Sequence, residues 1–242
     1  MAAKGANRIN QQPAFILHQY PYRETSRLLD VFSRDHGRLV IMARGVQRPG
    51  SQLRSVLLGY QPLLLDWFGS GEVKTLHAAS WQPGIPQLTG TSLLCGMYLN
   101  ELLQRILPRD TPAAELFADY YELLRTLARA EASLPEQALR CFERTLLQRY
   151  GYALAWDCTA DGKPVLAGGT YTFTAESGLQ LLEAGQAGIA GQTLLDFAAD
   201  KSLLPAQLAE LKQFMRTILN LTLLDGRPLQ TRLLLRELAR MA

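Results

Sequence analysis

The hydrophobic period of the chain changes at residues 81–86 (WQPGIP), where two prolines and a glycine fall within four residues. Upstream, short apolar runs at 15–18, 28–32, 39–43, 63–68 and 73–79 alternate with turn residues: Pro21, Gly37, Gly45, Pro49-Gly50, Pro62 and Gly69-Ser70-Gly71. Five short strands packed so closely suit a small barrel or sandwich better than an α/β unit. Downstream the apolar spacing becomes helical. Leu93, Leu94, Met97, Tyr98, Leu102 and Ile106 make one helix, stopped by Pro108. Leu116, Phe117, Tyr120, Leu123, Leu124 and Leu127 make a second, with Thr111-Pro112 as its predicted opening. A third follows Pro135, with Leu139, Phe142, Leu146 and Tyr150 on one side and Gly151 as its stop. The class is α+β.

Residues 152–191 lose the helical period and turn Gly-rich. Asp161-Gly162 reads as a hairpin-type turn and 171–174 as a strand. Helices resume at 193–199, 205–224 and 231–241. The organisation expected from these shifts is threefold: a β domain over 1–82, a central helical domain over 83–152, and a mixed C-terminal region over 153–242.

Composition bounds the function. With 242 residues, 48% hydrophobic and 19% charged, the chain can bury a core and is not a disordered polymer. No run approaches the ~18 apolar residues of a membrane span, and residues 1–12 lack the apolar centre of a signal peptide. Cys95, Cys141 and Cys158, odd in number and far apart, give no disulfide framework. A cytoplasmic protein is expected. Its charge is unevenly divided: residues 1–80 hold ten Lys/Arg against five Asp/Glu, and the remainder hold fifteen against seventeen. Arg34, Arg38, Arg44, Arg48 and Arg54 share a stretch with one acid, Asp35. Such a stripe suits either a polyanionic partner or a solvated, edge-protecting surface.

The residues of catalysis are scarce. His18, His36 and His77, the only histidines, all lie in the β region, and no nucleophile-elbow, zinc-protease, C-x-x-C or phosphate-loop pattern exists. A structural zinc needs four ligands, and residues 152–191 supply one cysteine and no histidine. The chain is expected to be neither an enzyme nor a holder of metal or other cofactor. A barrel with a basic stripe can instead track phosphates while aromatic rings stack on bases. Tyr20, Tyr22, Tyr60, Trp67 and Phe68 are the rings on offer, some of them needed for the core. Near the C-terminus Arg232, Arg236 and Arg240 fall at i, i+4, i+8, one helical ridge that is either solvated or a second phosphate contact. Arg140 has Glu136 and Glu143 at helical spacing and reads as an exposed ion-paired residue.

Several of these segments together resemble the bacterial RecO recombination-repair proteins. They are 14–18 (AFILH), 24–26 (ETS), 30–32 (DVF), Gly37-Arg38, 43–45 (ARG), 61–65 (QPLLL), 71–76 (GEVKTL), 98–103 (YLNELL) and the stretch from Ala138-Leu139-Arg140 to Tyr150-Gly151-Tyr152. The resemblance is strong to about residue 152 and weaker to about 240. It implies an N-terminal OB-fold barrel, a central helical domain and a small C-terminal region. It also implies a non-enzymatic mediator that binds single- and double-stranded DNA and anneals complementary strands. With RecR, such a mediator helps load RecA onto DNA coated by single-stranded-DNA-binding protein (SSB), working at the nucleoid. Carried over, Arg38, Arg44, Arg48, Arg54 and Lys74 are DNA-contacting positions and Arg140 holds the carboxylate of the SSB tail. The four-cysteine zinc module of several members is reduced here to Cys158 at most. The competing reading is a general single-strand-binding OB protein with no partner-loading role.

Overall fold

The computed structural model describes residues 8–130 and 135–241. Its N-terminal strands are β1 (Arg8–Tyr22), β2 (Ser26–Ser33) and β3 (Gly37–Ala43); after the single-turn helix α1 (Leu53–Val56) come β4 (Leu63–Phe68) and β5 (Val73–Trp81). They close into a barrel in the order β1-β2-β3-β5-β4, antiparallel except where β3 meets β5. This is the OB-like barrel that the family resemblance implied, and the barrel rather than the sandwich of the two forms that the strand spacing left open. Alternation sends Ile16, Leu29, Val31, Leu39, Ile41, Leu63, Leu65 and Trp67 into its core. β1 is far longer than the apolar run at 15–18. Its polar first half pairs with β4, and its second half pairs with β2. Backbone pairing of a polar run leaves no trace in hydrophobic periodicity.

Two helices follow, α2 (Gly90–Ile106) and α3 (Ala114–Ala128). They cover part of the barrel's outer surface, where Phe117 and Tyr120 pack on Phe15 and Phe32 at ring separations of 5.1–6.3 Å. Asn100 of α2 donates to the carbonyls of Leu17 (2.8 Å) and Ile16 (3.4 Å) and accepts from the Tyr120 hydroxyl. Thr111-Pro112 does not open α3, as the sequence suggested. Gly37, at φ +65°, lies so close that a Cβ there would meet the Thr111 carbonyl oxygen at 1.9 Å. The Asp110 N–H donates to the Arg38 carbonyl at 2.8 Å, so this segment serves the barrel before the helix begins.

The remaining elements are α4 (Glu136–Arg149), β6 (Thr170–Thr174), β7 (Gly178–Leu181), β8 (Ile189–Ala190), α5 (Gly191–Ala198), α6 (Pro205–Thr222) and α7 (Gln230–Met241). β7, β6 and β8 form a small antiparallel sheet. α6 packs on α4 and on β6, and Trp156 meets the rings of Phe197 and Phe214.

The chain divides into two compact units, Met1–Leu134 with Leu229–Ala242, and Pro135–Pro228. This differs from the expected boundaries at 82/83 and 152/153, because helices sort by the apolar face they cover. α2 and α3 cover the barrel, whereas α4 joins α6. α7 returns to the first unit, where Glu101 caps it. The Gln230 N–H donates to Glu101 Oε1 (2.7 Å), and the Thr231 N–H and hydroxyl donate to Oε2 (2.8 Å each).

Candidate nucleic-acid interface

The five basic positions assigned to DNA do not form one surface. Arg38 stands at the start of β3 and is committed to the fold. Its Nε and Nη2 donate to the two oxygens of Asp30 at 2.9 and 2.8 Å, and its Nη1 donates to the carbonyls of Gln104 and Leu107 at the end of α2. The pair is largely buried, with side-chain exposures of 17% and 4%. Planar bidentate pairing is what guanidinium does best, and here it fastens helix to barrel. Lys74 is half-buried as well, its ammonium donating to the Gly71 carbonyl at 2.7 Å with Asp110 at 3.9 Å. Arg38 is therefore held in the fold by neighbouring acceptors and does not stand on an open DNA surface, whereas Lys74 has one of its three N–H donors on the Gly71 carbonyl.

The other three gather beyond the far end of β3. Arg44 leaves the strand, Arg48 lies in the following turn and Arg54 on α1; all are exposed. Arg54 donates to the Gln47 carbonyl at 2.9 Å, and no carboxylate pairs with any of the three among the described residues. Arg23, in the β1–β2 turn, lies over the Tyr22 ring at 5.2 Å, and Gln47 N–H donates to the Thr25 carbonyl at 3.0 Å, which ties that turn to the arginine loop. Arg34, by contrast, is neutralised: its hydrogen bonds, then that of Gln12, hold the Asp35 carboxyl down at about 2.

The structure also sorts the aromatic candidates. Trp67 is core, and burial pushes the Tyr60 hydroxyl up to about 12. Tyr20, Tyr22 and Phe68 remain at or near the surface. Tyr20 faces outward beside Leu28, which is paired in turn with Met42.

Comparison with known proteins agrees with this architecture. The model for the N-terminal part of recombination protein O matches residues 8–83, and that for its C-terminal part matches 87–231. The chain belongs to the recombination protein O family. It is similar to the DNA repair protein RecO of Paraburkholderia xenovorans, 49% identical over 235 residues, spanning 96% of this chain and 78% of that protein. The RecO of Thiobacillus denitrificans is 46% identical over 96% of this chain and 93% of its own length. That of Azoarcus is 47% identical over 98% and 99%.

Two roles implied by RecO resemblance meet the structure differently. Arg140 is not exposed: it and Glu143 form a buried ion pair at 3.0 Å, with side-chain exposures of 8% and 0%, while Glu136 pairs with Lys212 at 3.2 Å. The surface reading of Arg140 is corrected, since its helical neighbours Leu139, Phe142 and Leu146 are buried on α4 too. The sequence signal does not decide it: an acid and a base three residues apart among apolar positions can be a buried pair as readily as a surface one.

The zinc module is the second. Cys158 precedes a tight turn closed by its own polar groups: Thr159 N–H donates to the Lys163 carbonyl at 2.8 Å, Thr159 Oγ1 to Asp161 at 2.5 Å, and Lys163 pairs with Asp161 at 2.7 Å. Among the described residues no group of three or more His, Cys, Asp or Glu is placed to hold a metal ion, and this donor set does not fit a zinc module. Of the C-terminal ridge, Arg232 lies over the Tyr98 ring at 5.5 Å and Arg240 is exposed. The side chain of Arg236 lies outside the described residues.

Proposed function

We propose that this protein acts in DNA repair and homologous recombination as a mediator with no catalytic residue of its own. It binds single- and double-stranded DNA, anneals complementary strands and, with RecR, helps load RecA onto SSB-coated DNA at the nucleoid. Its relatives' names and its family support the general role. No helix among the described residues is long and apolar enough to cross a membrane. The observation that carries DNA binding is the end of the barrel where Arg44, Arg48 and Arg54 are exposed and unpaired with acids. Cations held this way release counterions from phosphate without reading sequence, which suits a protein that must bring any two complementary strands together.

The test is a salt titration with the double variant Arg44→Glu/Arg48→Glu. Binding weakens for every sequence, and the slope of log affinity against log salt falls by about 0.7–0.9 for each phosphate no longer neutralised. Unchanged affinity and slope refute the interface.

One observation favours a narrower reading, a single-strand-binding protein without the loading role: the residue assigned to the SSB tail is buried against Glu143. Titrating a labelled SSB-tail peptide, with and without its terminal phenylalanine, separates the two. Binding that depends on that phenylalanine supports the mediator.

A further inference from the structure

The outer surface of the barrel is divided. Where β1 and β2 carry Phe15 and Phe32, it is sealed by α3. Further along the same strands it is open. His18 is paired with Asp30 across β2, and Asp30 with Val40 on β3; the next outward row runs Tyr20, Leu28, Met42 and Thr75 across β1, β2, β3 and β5. Tyr20 is 47% exposed and His18 is exposed. Their rings pack on one another, centroids 4.4 Å apart and planes inclined at 58°. An exposed tyrosine buttressed by a second ring, beside a partly open Leu28–Met42 floor, is a flat apolar surface with little rotamer freedom left to lose.

Its surroundings choose the occupant. Arg44 follows two residues after Met42, so its backbone lies roughly 12 Å from that of Tyr20, by strand spacing and rise. Arg23 and Tyr22 stand beyond Tyr20 at the end of β1, the same end of the barrel as Arg44. The rim is cationic at the Arg23 and Arg44 end, while on the other side His18 borders a groove that Glu101 and Glu237 also line; the floor between is aromatic and apolar. That combination suits a polyanion that carries exposed π-faces, namely a single-stranded nucleic acid. A duplex offers the same phosphates but keeps its bases stacked inside.

We infer that Tyr20, held by His18, is a stacking site for an unpaired base and the specificity determinant by which the interface favours single strands over duplex. This rests on the arginine interface proposed above. The phosphates are held by the Arg44–Arg54 end for either form of DNA, and Tyr20 adds an interaction open only to bases out of the helix.

Fluorescently labelled oligonucleotides test it in three forms: a single strand, the same strand with abasic sites, and the duplex. In Tyr20→Leu, which keeps apolar bulk without a ring, single-strand affinity falls about fivefold or more, and duplex affinity is unchanged. Abasic sites weaken binding to the native protein but cost the variant little, because its stacking surface is already gone. Tyr20→Phe restores the native values. Equal losses for strand and duplex, an unaltered single-strand affinity, or failure of the phenylalanine to rescue each overturns the inference. Melting temperatures alongside confirm that the exposed position leaves folding intact. If Arg44→Glu/Arg48→Glu has no effect while Tyr20→Leu does, it is the arginine interface that fails; the reverse outcome removes only the stacking site.

Discussion

Arg38 and Arg44 lie six residues apart at the two ends of one strand, and they do opposite things. Arg38 has Asp30 within reach on the neighbouring strand and carbonyls at the end of α2 beside it, so its charge is spent on the fold. Beyond the other end, β3 pairs Ala43 with Arg27 rather than with an acid, and Arg44 is left to the solvent. A basic stripe is thus two kinds of residue. The acid across the ladder decides which is which.

The sharpest way to break the comparison is Arg38→Ala. It strips a buried carboxylate of its bidentate partner and α2 of a terminal donor, and is expected to cost about 3–5 kcal/mol in denaturant unfolding. Arg38→Lys should not fully rescue, since an ammonium cannot reproduce the fork. A loss below about 1 kcal/mol, the range of an exposed pair, would mean that Arg38 is as free as Arg44.

Arg140→Ala extends the contrast to the second unit. Breaking the buried pair with Glu143 places it in the same range of about 3–5 kcal/mol, where an exposed helical pair would give about 0.3–0.5 kcal/mol. Thermal melts distinguish the two without ambiguity of size.

Glu101→Ala is expected to cost less, about 0.5–2 kcal/mol, the usual worth of a helix N-cap. Burial pushes the Glu101 carboxyl up, but the Thr231 and Gln230 N–H groups, the Thr231 hydroxyl and Arg105 together bring it below its ordinary value. A carboxyl lowered on folding contributes stability above its unfolded value, near 4.5, and loses it as pH falls through the lower folded one. The native protein should therefore lose this increment on acidification while Glu101→Ala does not, seen as converging melting temperatures.

Smallest of all is Arg44→Ala, within about 0.5 kcal/mol of native stability. Its effect belongs to DNA affinity instead. A variant that melts early would show that Arg44 has a structural partner after all.

Much of the fold is legible in the sequence. The barrel strands, the helical period after residue 86, the Asp161-Gly162 turn and the Gly151 helix stop all follow from local spacing and turn chemistry. Parts of the site leave a fainter signal. Asp30 interrupts an apolar strand, and a buried acid calls for a cation, which points to Arg38. The ring of Tyr20 could not be told from that of Trp67 by residue type. One lies on the outer face and the other in the barrel, and that depends on a register shift between Ile16 and His18.

By itself, then, the sequence determined the five short strands, the order of helices behind them and the basic excess of the first eighty residues. These rest on local propensity, period and composition, which act between near neighbours in the chain. Only the tertiary structure decided which arginines are spent and which are free, that α7 returns to Glu101, and that Arg140 is buried. Each depends on partners brought together by strand register or helix packing, and a charge is satisfied by what lies within hydrogen-bonding distance, whatever its separation along the chain.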